Sequence, residues 1–255
     1  FDSVAIVFLR TLFASLFLLI YGAMRGKLRE SLRFWKTAFW FAVVEMVFAW
    51  WFVNEAERHI SSGLTGLLIA TVPLFSVVIA RLRGDLHATS PHRLLGLGVG
   101  IVGVGLLVGL DTAKLHLTAL PVILILLAAF GYAVGPMLIA GKLDGADSPT
   151  VIGLSLGFVC LIYLPLAPSH WPSAMPSASS VWAMAALVVL CTVAAFIIFF
   201  ALIAEIGPVR STLVTYINPA VAVLLGVIFR AEPVTLGLML GFPLVLLGSY
   251  LASRR

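Results

Sequence analysis

"ISSGLTGLLIATVPLFSVVIARLRGD" (Ile60–Asp85) and "IGPVRSTLVTYINPAVAVLLGVIFRAE" (Ile206–Glu232) decide how this chain folds. In each, thirteen residues separate the opening isoleucine from a proline, Pro73 or Pro219. An apolar half-helix follows, then a basic residue and an acid: Arg83 and Asp85 in the first, Arg230 and Glu232 in the second. Proline lacks a backbone donor and clashes with the preceding turn, so each should break or kink its helix. Both stretches run on into a glycine-rich span, "LLGLGVGIVGVGLLVG" from Leu94 and "LGLMLGFPLVLLGSYLA" from Leu236. Gly103 lies thirty residues after Pro73, and Gly248 twenty-nine after Pro219. Few residues are identical, but the order of features is shared, which marks an internal repeat.

Composition sets the class to which the repeat belongs. Hydrophobic residues make up 62% of the 255 and charged residues 11%, and mean hydropathy is +1.14. Soluble domains hold about 45–50% apolar and about 25% charged residues. The chain therefore reads as an all-α polytopic membrane protein. Runs long enough to cross ~30 Å of hydrocarbon as helices lie at 1–24, 34–54, 62–82, 93–111, 118–140, 149–168, 180–203, 208–229 and 235–252. The regular alternation of a membrane barrel is absent. "APSHWPSAMPSASS" (Ala167–Ser180), rich in Pro and Ser, reads as a surface loop.

Lysines and arginines set the orientation. Alternation of nine spans puts Arg25, Lys27, Arg29, Arg33, Lys36, Arg81, Arg83, Arg93, Lys142, Arg210, Arg254 and Arg255 on one side. Only Arg58, Lys114 and Arg230 fall on the other. Twelve against three predicts a cytoplasmic carboxyl terminus and a cytoplasmic 25–36 loop. The basic pI, near 9.6, therefore reflects topology and not nucleic-acid binding. Cys160 and Cys191 sit in apolar runs away from any His or Asp cluster, so neither a metal site nor a disulfide framework is expected.

The two proline-centred copies are five spans apart, and an odd offset inverts the second copy in the membrane. Working backwards, 34–54 pairs with 180–203 and 1–24 with 149–168. The expected division is a first repeat over residues 1–112 and a second, inverted one over 113–255. Span 118–140 lacks a partner, which is expected to precede Phe1 as the first of ten helices.

With "FLRTLFASLFLLI" (Phe8–Ile20) ahead of them, these stretches resemble the drug/metabolite transporter superfamily, and within it the EamA-like ten-span exporters. The chain is also similar to YddG-type exporters of aromatic and other neutral amino acids. The resemblance implies two five-helix repeats, cytoplasmic termini and a central cavity that opens to either side in turn. It also implies residence in a bacterial inner membrane.

Ionisable residues inside spans are functional candidates, because each costs about 2.5–3.5 kcal/mol mid-bilayer even on translocon scales. Arg10 and Glu45 are the two that lie deep. Arg10 lies roughly 14 Å from the outer start of its helix at 1.5 Å per residue. Glu45 lies roughly 17 Å from the inner start of the next, and so about 13 Å from the outside of a 30 Å core. Equal depth predicts an Arg10–Glu45 ion pair. The alternative is functional, with Arg10 binding a substrate carboxylate or Glu45 carrying a proton.

Trp50, Asn54, Thr71, Tyr132, Thr215, Tyr216 and Asn218 are the polar and aromatic cavity candidates. Amides and hydroxyls would hydrogen-bond a zwitterion, and Trp50, Trp51 and Tyr132 would hold an apolar side chain. The bland readings are an interfacial belt for the tryptophans and an interhelical hydrogen bond for Tyr216 and Asn218. Gly96, Gly100 and Gly103–Gly105 suit close helix packing. Pro73, Pro219, Gly63, Gly66 and Gly226 are hinge candidates.

These features point to a secondary transporter of small organic metabolites, with the bilayer and a small solute as partners, no cofactor, no nucleic acid and a monomeric state. Drugs and nucleotide sugars are the alternative solutes. No Gly-rich loop ending in Lys-Ser/Thr is present, so ATP hydrolysis is not expected. An intramembrane enzyme needs clustered catalytic groups, whereas His59, His87, His92, His116 and His170 are scattered. A channel needs a continuous polar stripe, which the spans lack.

Overall fold

The computed structural model describes residues 2–84, 91–115, 119–139, 142–143, 145–172, 175–206, 221, 225–229, 231 and 234–253. Pro219, Thr215, Tyr216, Asn218, Asp85, Arg210, Arg230, Glu232, His87 and His116 lie outside the described residues. The regular structure among the described residues is helical, with no strand.

In chain order the helices are α1 (Ser3–Met24), α2 (Leu28–Ala56), α3 (Ser62–Ile69), α4 (Val72–Leu82), α5 (Pro91–Leu115), α6 (Ala119–Ile139) and α7 (Ser148–Tyr163). Next comes α8, built from Ala178–Val188, a π-helical turn at Val189–Ala194 and Ala195–Ile206, and then α9 (Leu236–Ser253). α2 also contains a π-helical turn, Ala42–Val47. Among the described residues, five stretches are long and apolar enough to cross a membrane: α1, α2, α3 with α4, α6 and α8.

Polar caps start these helices where the apolar runs begin. Asp2 accepts from the Ser3 amide at 2.6 Å, Ser61 from Leu64 at 3.2 Å, Asp147 from Thr150 at 3.3 Å and Ser177 from Ser180 at 3.3 Å. Each bond satisfies a donor that the first helical turn leaves open. Pro73 acts as a break. α3 stops at Ile69, Ala70 and Thr71 form a turn, and Pro73 falls in the first turn of α4, where its missing amide costs nothing. Thr71 donates its hydroxyl to the Leu68 carbonyl at 2.6 Å.

The helices form two compact units, residues 1–51 with 135–208 and residues 52–134 with 209–255. Each unit takes helices from both of the expected repeats, 1–112 and 113–255. In the first unit α1 runs antiparallel to α7. Arg25 pairs with Asp147 at 3.0 Å at one end, and His170 Nε2 lies 3.6 Å from Asp2 at the other. Gly22 faces Thr150, and Gly153 faces Leu18 and Leu19, so the two helices approach through missing side chains. α7 also packs against α2 and α8.

In the second unit α5 lies along α9. A Cβ at Gly248 would meet the Gly100 backbone and the Gly96 carbonyl oxygen, and one at Gly103 would come within 2.7 Å of the Val245 nitrogen. Gly96, Gly100 and Gly103 are buried, whereas Gly98 and Gly105 are exposed with nothing within 4 Å. The glycine spacing therefore builds one close-packed face. Ala56, Leu64, Leu67, Leu68, Val122 and Ile125 form the apolar core nearby. Gly248→Leu is expected to destabilise by about 1–3 kcal/mol through overpacking, seen as a lower thermal midpoint in detergent. Gly98→Leu is expected to cause no loss in the same measurement.

Candidate functional site

The deep charges both meet π-helical turns. A π turn spaces its backbone bonds five residues apart and leaves carbonyls in need of other donors. On α8, Arg10 Nη2 donates to the Cys191 carbonyl at 3.1 Å, and Thr192 donates its hydroxyl to Leu187, five residues back, at 2.8 Å. On α2, the Tyr163 hydroxyl from α7 donates to the Val47 carbonyl at 2.6 Å. Each turn is thus secured by a polar side chain from another helix.

Arg10 is held on two sides. Its Nε donates to Thr192 Oγ1 at 2.6 Å, and its guanidinium carbon lies 3.6 Å from the centre of the Trp50 ring. Charge-assisted hydrogen bonds contribute about 1.5–3 kcal/mol each, and a desolvated cation–π contact about 2 kcal/mol. Trp50 is 4% exposed, so its ring belongs to the interior and not to a lipid-facing belt. Phe196 lies 6.0 Å from Trp50 and packs in turn on Phe41 and Phe200. The result is a cation fixed over an aromatic wall.

Arg10 and Glu45 do not form the ion pair that their equal depth suggests. Arg10 turns to α8, drawn by the Cys191 carbonyl and the Thr192 hydroxyl. Glu45 is 6% exposed, and its Oε2 has no hydrogen-bond partner among the described residues. The carboxyl lies against Gly135 of α6, where any Cβ would overlap Oε2. An ionised Glu45 would therefore lack a counter-charge among the described groups.

Glu45 is the fourth residue of the first π turn and Thr192 the fourth of the second. Each is the one polar residue of its turn. Thr192 receives Arg10, and Glu45 receives no cation among the described residues. Thr192, Tyr163 and Gly135 were not singled out from the sequence. The available signals were that Thr192 is the single hydroxyl in residues 181–206, and that Gly135 adjoins a mid-helix proline, Pro136.

The remaining candidates lie in the other unit. Thr71 is buried and opens onto an apolar cavity of about 250 Å³ with Leu74, Phe75, Leu97 and Leu126. Its hydroxyl is bonded to Leu68, and the other described lining residues are apolar. Asn54 and Tyr132 are half-buried, and Gly66 and Gly226 are buried within helical segments. Both cysteines are free, and no cluster of His, Cys, Asp or Glu suited to a metal occurs among the described residues. If Gly135 exists to accommodate Glu45, Gly135→Ala should destabilise by about 1 kcal/mol or more. Combining it with Glu45→Ala should recover part of that loss, read as a non-additive double-mutant cycle by thermal unfolding.

Known proteins place this arrangement in context. The model of the EamA-like transporter family matches residues 1–109 and 119–254. The chain is 29% identical to the uncharacterised inner membrane transporter YedA of Escherichia coli K12, over 95% of this chain and 81% of that protein. It is 24% identical to the uncharacterised transporter YdfC of Bacillus subtilis 168, over 91% and 76%. One crystal structure shares the fold with a TM-score of 0.67 at 19% identity, covering 99% of this chain and 87% of that one.

Proposed function

Because the chain belongs to the EamA-like transporter family, we propose that it is a secondary transporter exporting small organic metabolites, chiefly aromatic and neutral amino acids. Its standing as an integral inner-membrane transporter follows from the family, the relatives and the apolar helices. The solute and the direction are our reading. One observation carries it: a guanidinium inside a span, fixed at one edge by Thr192 and Cys191 and stacked on Trp50. A cation beside an aromatic wall suits a carboxylate carrying an aromatic or apolar group. Arg10 is the carboxylate anchor in this scheme, and Trp50 the wall.

The transport cycle rests on two inverted repeats, residues 1–112 and 113–255, rocking around a central cavity, with the carboxyl terminus in the cytoplasm. Support comes from paired features. Helices matched by the repeat pack together, α1 on α7 and α5 on α9. π-helical turns also occur at corresponding places in α2 and α8. Pro73 and Pro219 are the proposed pivots, with Gly66 and Gly226 beside them, and Asn54, Thr71, Tyr132, Thr215, Tyr216 and Asn218 the wider cavity set.

Counterflow in proteoliposomes against labelled amino acids and nucleotide sugars tests the substrate class. Saturable exchange of aromatic amino acids is expected, with at least tenfold weaker exchange of amines that lack the carboxylate. Arg10→Gln should remove that discrimination while the protein stays folded. Equal handling of acids and amines by the unaltered chain would overturn the reading.

A second reading, coupling to a proton, is favoured by the Glu45 carboxyl that no described donor meets. Glu45→Gln should then keep counterflow but lose uptake driven by a pH gradient. Gradient-driven uptake at the original rate would remove Glu45 from the coupling.

A further inference from the structure

The start of α2 carries charge that no described acid neutralises. Leu28–Ser31 is α-helical, Leu32–Phe34 forms a 3-10 turn, and Trp35–Phe41 resumes the α-helix. Arg29, Arg33 and Lys36 are spaced i, i+4 and i+7, so they recur on one side of this segment. All three are exposed. The described acids at this end are engaged elsewhere: Glu30 by Lys27 at 3.0 Å and Asp147 by Arg25 at 3.0 Å. Among the described residues, none of the three cations has an ion-pair partner.

Aromatic rings hold two of these cations in place. Arg33 lies 4.7 Å from the Phe34 ring centre, and Lys36 lies 5.7 Å from that of Trp35. Arg33 Nη2 also reaches the loop before α7, 3.6 Å from where a side chain at Gly145 would begin. Exposed Lys142 belongs to the same loop. Beside the charges, Leu32, Trp35 and Trp40 are large exposed apolar side chains, 48%, 49% and 59% accessible. At the end of a membrane span, charge next to apolar surface matches a phosphate next to an acyl chain.

We propose that Arg29, Arg33 and Lys36, with Lys142, form a binding site for the phosphate of an anionic phospholipid in the leaflet at the Arg25–Asp147 end. The acyl chains lie along Leu32, Trp35 and Trp40. A zwitterionic lipid carries the same phosphate, but its own amine offsets the charge, so the cluster selects for net negative headgroups. The site is separate from Arg10 and does not depend on which solute is carried.

Native mass spectrometry of the full chain, offered equal phosphatidylglycerol and phosphatidylcholine in detergent, measures the preference. Each cation near an anionic surface is worth about fivefold, so three predict a preference on the order of a hundredfold. The R29Q/R33Q/K36Q variant is expected to lose about a hundredfold of that preference, keeping no more than the fivefold that Lys142 supplies. The charge-keeping R29K/R33K variant, and R81Q/R83Q at two other exposed arginines, are expected to behave as the original chain. If the triple variant unfolds, the three single substitutions serve instead, each losing about fivefold. The proposal is overturned by equal retention of both lipids by the original chain, by unchanged preference in the glutamine variants, or by an equal loss in R81Q/R83Q.

Discussion

A backbone carbonyl left without a donor in hydrocarbon costs several kcal/mol, and the first unit is organised around meeting that demand. Its two π-helical turns, in α2 and α8, each release carbonyls from the regular helical ladder. Arg10 from α1 takes one, and Tyr163 from α7 takes another. Because α1 and α7 themselves lie together through Gly22 and Gly153, the four helices brace one another reciprocally. Loss of either donor would leave a backbone group unsatisfied where water is scarce.

The second unit solves its packing differently. Between α5 and α9 the contact runs through backbone, with Gly96, Gly100 and Gly103 on one helix and Gly248 on the other. Lipid tails are as apolar as leucine, so association there depends on van der Waals contact at short range, which only small residues allow. At Thr71, before Pro73, a hydroxyl serves a backbone carbonyl where the chain changes course.

The matched π turns differ in what fills them, and the proposed function draws on that difference. Thr192 is neutral, small and bonded to Arg10. Glu45, at the corresponding place, is ionisable and lies against a glycine, with no cation from the described residues. A symmetric scaffold needs only backbone satisfaction at these turns. Arg10 meets that need at one turn, whereas the Glu45 carboxyl supplies no donor to the other and carries a desolvation cost that bracing does not require.

Much of the architecture could be read from the residues. Apolar runs placed the starts of α1, α3, α7 and α8 within a few residues, because span length is set by bilayer thickness, and the structure adds the caps Asp2, Ser61, Asp147 and Ser177. Pro73 marked a break because a missing amide acts locally, and the Gly96–Gly100–Gly103 face followed from helical period alone. Depth along a helix also follows from residue number, which is why Arg10 and Glu45 could be set at similar levels. Direction about the axis does not. A π turn rotates the helix beyond it away from the 3.6-residue count, and a guanidinium turns to whichever acceptor the neighbouring helices present. So the sequence determined the described spans, the break at Pro73 and the close-packed face of α5, while only the tertiary structure decided that Arg10 faces Thr192 and Trp50 and that Glu45 faces Gly135.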